Sequence, residues 1–94
     1  MNERVSERMR IEYSKNAAKA LQKMERGLRQ RIHEAIIGLT QTPPKGDIKP
    51  MEGKPEGRFR LRVGGYRVIY RYDADGTMTV LYIIDVGPRG DIYK

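Results

Sequence analysis

Residues 58–71 read RFRLRVGGYRVIYR, a stretch that leaves the chain little choice of fold. Phe59, Leu61 and Val63 alternate with Arg58, Arg60 and Arg62, the period of two that a half-buried strand requires. Gly64 and Gly65 then form a two-residue hairpin loop that tolerates positive φ. So short a loop fixes the register. Val63 faces Tyr66, Leu61 faces Val68 and Phe59 faces Tyr70, which makes one continuous apolar face. The other face sets Arg62 against Arg67, Arg60 against Ile69, and Arg58 against Arg71. Like charges directly opposite one another destabilise a sheet by a few tenths to about 1 kcal/mol per pair, so something should compensate: solvation of splayed side chains whose stems cover apolar surface, or a polyanion bound across the hairpin.

The rest of the chain supplies what the apolar face must cover. Met9, Ile11 and Tyr13 alternate with Arg8, Arg10 and Glu12, which predicts a strand. Ser14 is placed to cap a helix, with Ala17, Leu21 and Met24 on one face and Leu28, Ile32, Ala35, Ile36 and Leu39 continuing the stripe. Gly27 disfavours a single long helix by about 1 kcal/mol relative to alanine, so a helical hairpin breaking around MERG is expected. The prolines of TQTPPKG end the second helix, and a polar loop is expected from there to Gly57. After the arginine hairpin, DADG turns the chain into TMTVLYIIDV, apolar on both faces like an interior strand. The expected fold is α+β: an N-terminal strand, a helical hairpin, then an antiparallel sheet of three further strands with the helices on one face. Residues 1–7 read as a flexible polar lead-in and 8–94 as one domain, the most that 94 residues support.

A net charge of +7 favours an anionic partner: nucleic acid, an acidic protein or a membrane surface. Cysteine is absent, which excludes a disulfide framework and a thiolate zinc site. The N-terminus lacks the apolar core of a secretory signal, and no run of about 18 apolar residues exists to cross a bilayer, so a cytoplasmic protein without membrane attachment is expected. His33 is the single histidine and reads as a boundary residue; no metal and no cofactor are expected. Asp73 and Asp75 lack the later ligands of a calcium loop. Arginine, by contrast, carries a planar fork of donors matched to phosphate and stays charged at any accessible pH. Tyr13, Tyr66 and Tyr70 fall on predicted core faces, whereas Tyr82 and Tyr93 are left for a stacking or chemical role.

The order of elements, together with GYRVIY and the terminal VGPRGDIY, resembles the RelE-like toxins of bacterial toxin–antitoxin modules over residues 8–93. The resemblance implies a ribosome-dependent endoribonuclease that cuts mRNA in the A site and is held inactive by a cognate antitoxin. Carried onto this chain, it implies a cleavage site of Arg58, Arg60, Arg62, Arg67, Arg89 and Tyr93; within the basic surface Arg60, Arg67, Arg89 and Tyr93 are expected to be catalytic, and Lys54, Arg58, Arg62 and Arg71 to bind RNA. Several relatives have lysines where this chain has Arg58 and Arg60. The implied chemistry is metal-independent: the 2′-hydroxyl attacks its own 3′-phosphate through a dianionic phosphorane. Arg67 and Arg89 would clamp the phosphorane oxygens, and Tyr93 would act as an acid–base group or a stacking surface. ParE-like toxins of the same superfamily share the fold and inhibit DNA gyrase by binding. That is the alternative reading, and a plain RNA-binding module is a third.

Overall fold

In the computed structural model, which describes residues 2–53 and 56–88, the arginine hairpin forms in the expected register. Strand β4 (Phe59–Val63) runs antiparallel to β5 (Tyr66–Asp75), pairing Val63 with Tyr66, Leu61 with Val68, and Phe59 with Tyr70. Gly64 in the loop adopts φ +59, where a side chain is strained, and a Cβ there would come within 2.7 Å of the Arg31 guanidinium. A second tight turn at Gly76 leads into β6 (Met78–Pro88), which lies between β5 and β2 (Met9–Tyr13).

The helical hairpin is α1 (Lys15–Gln22) and α2 (Arg26–Gly38). The Ser14 hydroxyl accepts the Ala17 N–H at 3.0 Å as N-cap of α1, and the Glu25 carboxylate accepts the Leu28 N–H at 2.8 Å as N-cap of α2. The break falls at Lys23–Glu25, so Gly27 sits in the first turn of α2 rather than in the connection. Both helices lie on one face of the sheet. Ala17, Leu21, Ile32, Ile36 and Leu39 meet Ile11, Tyr13, Leu61, Val68, Tyr70, Leu81, Ile83 and Val86 in a single core. Phe59, Tyr70 and Tyr72 form an aromatic corner with ring centroids 5.5 to 6.3 Å apart, and the Tyr72 hydroxyl donates to the Leu39 carbonyl at the end of α2. Burial raises the Tyr70 and Tyr72 hydroxyls above the usual phenol range, so both remain neutral donors.

The sheet is larger than the sequence pattern indicates, and it is mixed. Six strands run in the order β1-β2-β6-β5-β4-β3, with β2 parallel to β6 and every other pairing antiparallel. The loop expected up to Gly57 is corrected: β3 (Asp47–Pro50) pairs with β4 as one edge of the sheet. Asn2–Arg4, inside the stretch read as a polar lead-in, forms β1 on β2 at the other edge. Both added strands are short, polar edges, the form in which proteins blunt an open sheet. Glu3 fastens β1: its carboxylate accepts the Tyr13 hydroxyl at 2.6 Å and lies 3.0 Å from His33 Nε2 on α2. Burial alone would raise the Glu3 carboxyl, but the bonds from Tyr13 and His33 outweigh it and hold the group below its usual range. Among the described residues, no helix is long and apolar enough to cross a membrane.

Candidate functional site

The face of the sheet away from the helices is where alternation sends the arginines, and the register orders them into rows. One row runs Arg62, Arg67, Gly87 across β4, β5 and β6; the next runs Arg60, Ile69, Asp85. Arg71 lies directly opposite Tyr82 on β6, and Arg58 stands immediately before β4. Neighbouring strands are about 4.8 Å apart, so these side chains share one continuous surface.

Burial divides the like-charged pair. Arg62 is exposed, whereas Arg67 is only 7% exposed, the one charged residue buried among those described. The Arg67 guanidinium lies across β6: its Nη2 is 3.5 Å from Asp85 Oδ2, and a Cβ added at Gly87 would come within 3.9 Å of the same nitrogen. At that separation the ion pair is at the long limit of a hydrogen bond. Nε and Nη1 of Arg67 are buried without a partner, as are Nε of Arg58 and Nε of Arg60. Unsatisfied buried donors on a cation are costly, which sets these atoms apart from the paired arginines of the same face. Ile69, 5% exposed on the side the helices do not reach, is flanked by Arg60, Asp85, Arg67 and Arg71, and arginine stems are long enough to shield such a position from water.

A β-bulge aims the one carboxylate in this cluster. Ile69 pairs with Asp85 but Tyr70 pairs with Ile83, which leaves Ile84 as an extra residue in β6. Leu81 and Ile83 both point into the core, so uninterrupted alternation would bury Asp85 and expose Val86. The bulge reverses this: Val86 is 3% exposed in the core and Asp85 emerges beside Arg67. The Ser14 hydroxyl donates to the Ile84 carbonyl at 2.6 Å and so ties the bulge to the start of α1. Sequence reasoning missed Asp85. Its signal was the run Tyr82, Ile83, Ile84, where alternation fails just before an acidic residue.

Elsewhere on this face the arginines are neutralised. Arg71 Nε donates to both carboxylate oxygens of Asp73, at 2.9 and 3.1 Å, while its guanidinium lies 4.5 Å from the centre of the Tyr82 ring. Arg10 donates to Glu12 at 2.7 Å and to Asp75 at 3.0 Å. The structure therefore brings Arg58, Arg60, Arg62, Arg67 and Arg71 onto one face and sets Arg67 at its buried centre. Arg89, Tyr93 and Lys54, the other site residues expected from the sequence, lie outside the described residues. His33 sits on the helix side of the sheet with Glu3 and takes no part in the arginine face.

Comparison with known proteins agrees with this architecture. Residues 11–93 match the family described as the ParE toxin of the type II toxin–antitoxin system parDE. Toxin RelG of Mycobacterium tuberculosis is 29% identical over 84 residues, covering 89% of this chain and 94% of that protein. Among solved structures, the archaeal RelE–RelB complex from Pyrococcus horikoshii aligns at 30% identity with a TM-score of 0.64, over 86% of this chain and 94% of that one. The YoeB/ParE toxin from Agrobacterium tumefaciens shares the fold at TM-score 0.72 and 19% identity, over 84% of this chain and 97% of that one. With two helices over one face of a sheet and a family match along nearly its whole length, the chain belongs to the ParE toxin family of type II toxin–antitoxin systems, within the RelE/ParE superfamily.

Proposed function

We propose that the chain is a ribosome-dependent endoribonuclease that cleaves mRNA in the A site. The observation that carries this reading is the buried Arg67 guanidinium, with two donor atoms unpartnered at the centre of an arginine face. A phosphate seated there would complete those donors and remove the repulsion between Arg62 and Arg67. As the 2′-hydroxyl attacks the adjacent phosphorus, negative charge grows on the equatorial oxygens. Fixed cationic donors aimed at that charge are each worth 10² or more in rate. Arg67 and Arg89 are assigned to the phosphorane oxygens, Arg60 to the leaving-group side, and Tyr93 to proton transfer or stacking. Lys54, Arg58 and Arg62 hold the RNA on either side, and Arg71, whose Nε is taken by Asp73, offers its remaining guanidinium nitrogens. A ribosome that presents the mRNA in line for attack supplies the orientation that a lone basic face lacks. The crystallised relative from Pyrococcus horikoshii is a RelE–RelB complex, which supports a cognate antitoxin as the partner that keeps this chain inactive.

The test is a translating extract supplied with a defined message. The purified chain is expected to cut that message at A-site codons, and Arg67→Ala is expected to lower cleavage by at least 100-fold. Cleavage that survives the substitution would remove Arg67 from the site. A second reading is favoured by the family match itself, since the matched family is named for ParE. In that reading the arginine face is a docking surface for DNA gyrase. Inhibition of gyrase supercoiling by a protein that leaves message intact would establish it instead.

A further inference from the structure

A 2′-hydroxyl becomes a nucleophile only when something takes its proton, and the arginine face holds few groups able to do so. Guanidinium groups do not deprotonate in proteins, so Arg58, Arg60, Arg62 and Arg67 are excluded as acceptors. The other acidic groups that the described strands carry on this face are occupied or distant. Asp73 is bound through both oxygens to Arg71, and Glu12 and Asp75 are bound to Arg10. Asp47 faces Arg62 from β3, two strands or roughly 10 Å from Arg67.

Asp85 differs from all of these. The bulge at Ile84 turns it out of the core and onto the face. Its Oδ1 accepts the Val86 N–H at 2.9 Å, which fixes the carboxylate plane. Its Oδ2 lies 3.5 Å from Arg67 Nη2, and 46% of the side chain is exposed to an incoming ligand. A phosphate drawn to the Arg62–Arg67 row would set its own ribose beside that exposed oxygen.

Resting on the nuclease reading, we propose that Asp85 is the general base of the cleavage reaction. Oδ2 takes the proton of the 2′-hydroxyl as the O2′–P bond forms. The P–O5′ bond breaks, its electron pair leaves with O5′, and O5′ takes a proton from water. The products are a 2′,3′-cyclic phosphate and a 5′-hydroxyl, and Asp85 then returns its proton to solvent. Arg67 serves both steps, by holding the phosphate and by keeping Oδ2 directed at the ribose.

The experiment is single-turnover cleavage on ribosomes programmed with a defined mRNA, with ribosome binding measured in parallel by co-sedimentation. Asp85→Asn is expected to slow cleavage by 10² to 10⁴-fold with binding unchanged, whereas Asp85→Glu keeps more activity than Asp85→Asn. Asp85→Gly is expected to be equally slow and to recover at least about tenfold when formate is added, an effect a purely structural carboxylate would not give. The assignment is overturned if Asp85→Asn cleaves within about threefold of wild type, if binding falls in step with cleavage, or if formate leaves Asp85→Gly unchanged. Should wild type cleave and Asp85→Asn cleave equally, only this assignment falls. If wild type itself leaves the message intact, the nuclease reading falls and takes this one with it.

Discussion

The helix-free face of the sheet holds arginine in two settings. Arg10 and Arg71 each have a carboxylate of their own at 3.0 Å or less, and Arg71 also rests on the Tyr82 ring. Around the hairpin, Arg58, Arg60 and Arg67 bury donor atoms that meet no partner, and the nearest carboxylate to Arg67 stands off at 3.5 Å. One residue type on one surface is thus paired with carboxylates in one region and left with unmet donors in the other. The lesson is that charge count says little about where a basic face acts. The distribution of unmet donors says much more.

Substitutions can break or sharpen that contrast. The largest effect is expected from Arg67→Met, which keeps volume and removes the buried charge. Message cleavage should fall 10² to 10³-fold, about 3 to 4 kcal/mol in the barrier, while stability in urea stays level or rises by a few kcal/mol. A protein that loses stability along with activity would show that Arg67 is structural. Next is Ile69→Ala, which empties the patch beneath the arginine stems. It should cost about 2 kcal/mol of unfolding free energy, read from the urea midpoint, since a buried isoleucine is truncated there. Smaller again is the electrostatic signature. Arg62→Ala should reduce the salt dependence of single-stranded RNA binding by roughly 0.7 in the log–log slope. Arg10→Ala, already neutralised by Glu12 and Asp75, should leave both that slope and cleavage unchanged.

The smallest effect lies outside the face and serves as a control on it. The Glu3 carboxyl is held below its usual value near 4.5, so its contribution to stability is present above that pH and is lost as pH falls through the lowered value. Glu3 is partly exposed, so Glu3→Gln should cost about 1 kcal/mol or less at neutral pH and flatten the acid limb of a stability profile. Cleavage should not change.

Much of the fold was legible because the hairpin allowed one register and one set of faces. A two-residue loop and strict alternation determine every pairing from Phe59 to Tyr70, and the helical stripe from Ala17 to Leu39 then has one place to pack. The two edge strands were not legible. NER and DIKP hold a single apolar residue between them, and an edge strand needs only a neighbour's free backbone groups, which no local pattern reports. The parallel pairing of β2 with β6 joins residues some seventy positions apart, beyond the reach of periodicity. In the candidate site, the arginines were legible by type and spacing, but the burial of Arg67 was not, because alternation places it no differently from Arg62. Asp85 was hidden for the related reason that a bulge alters the count without altering the composition.

The extra residue at Ile84 also separates two properties of β6 that usually travel together. Were it deleted, Asp85 would follow Ile83 directly, and plain alternation would still send the acid to the arginine face and Val86 to the core. What would go is the local bend and the carbonyl that accepts from the Ser14 hydroxyl. The added residue therefore governs how the strand is moored to the start of α1, while the facing of its side chains survives without it.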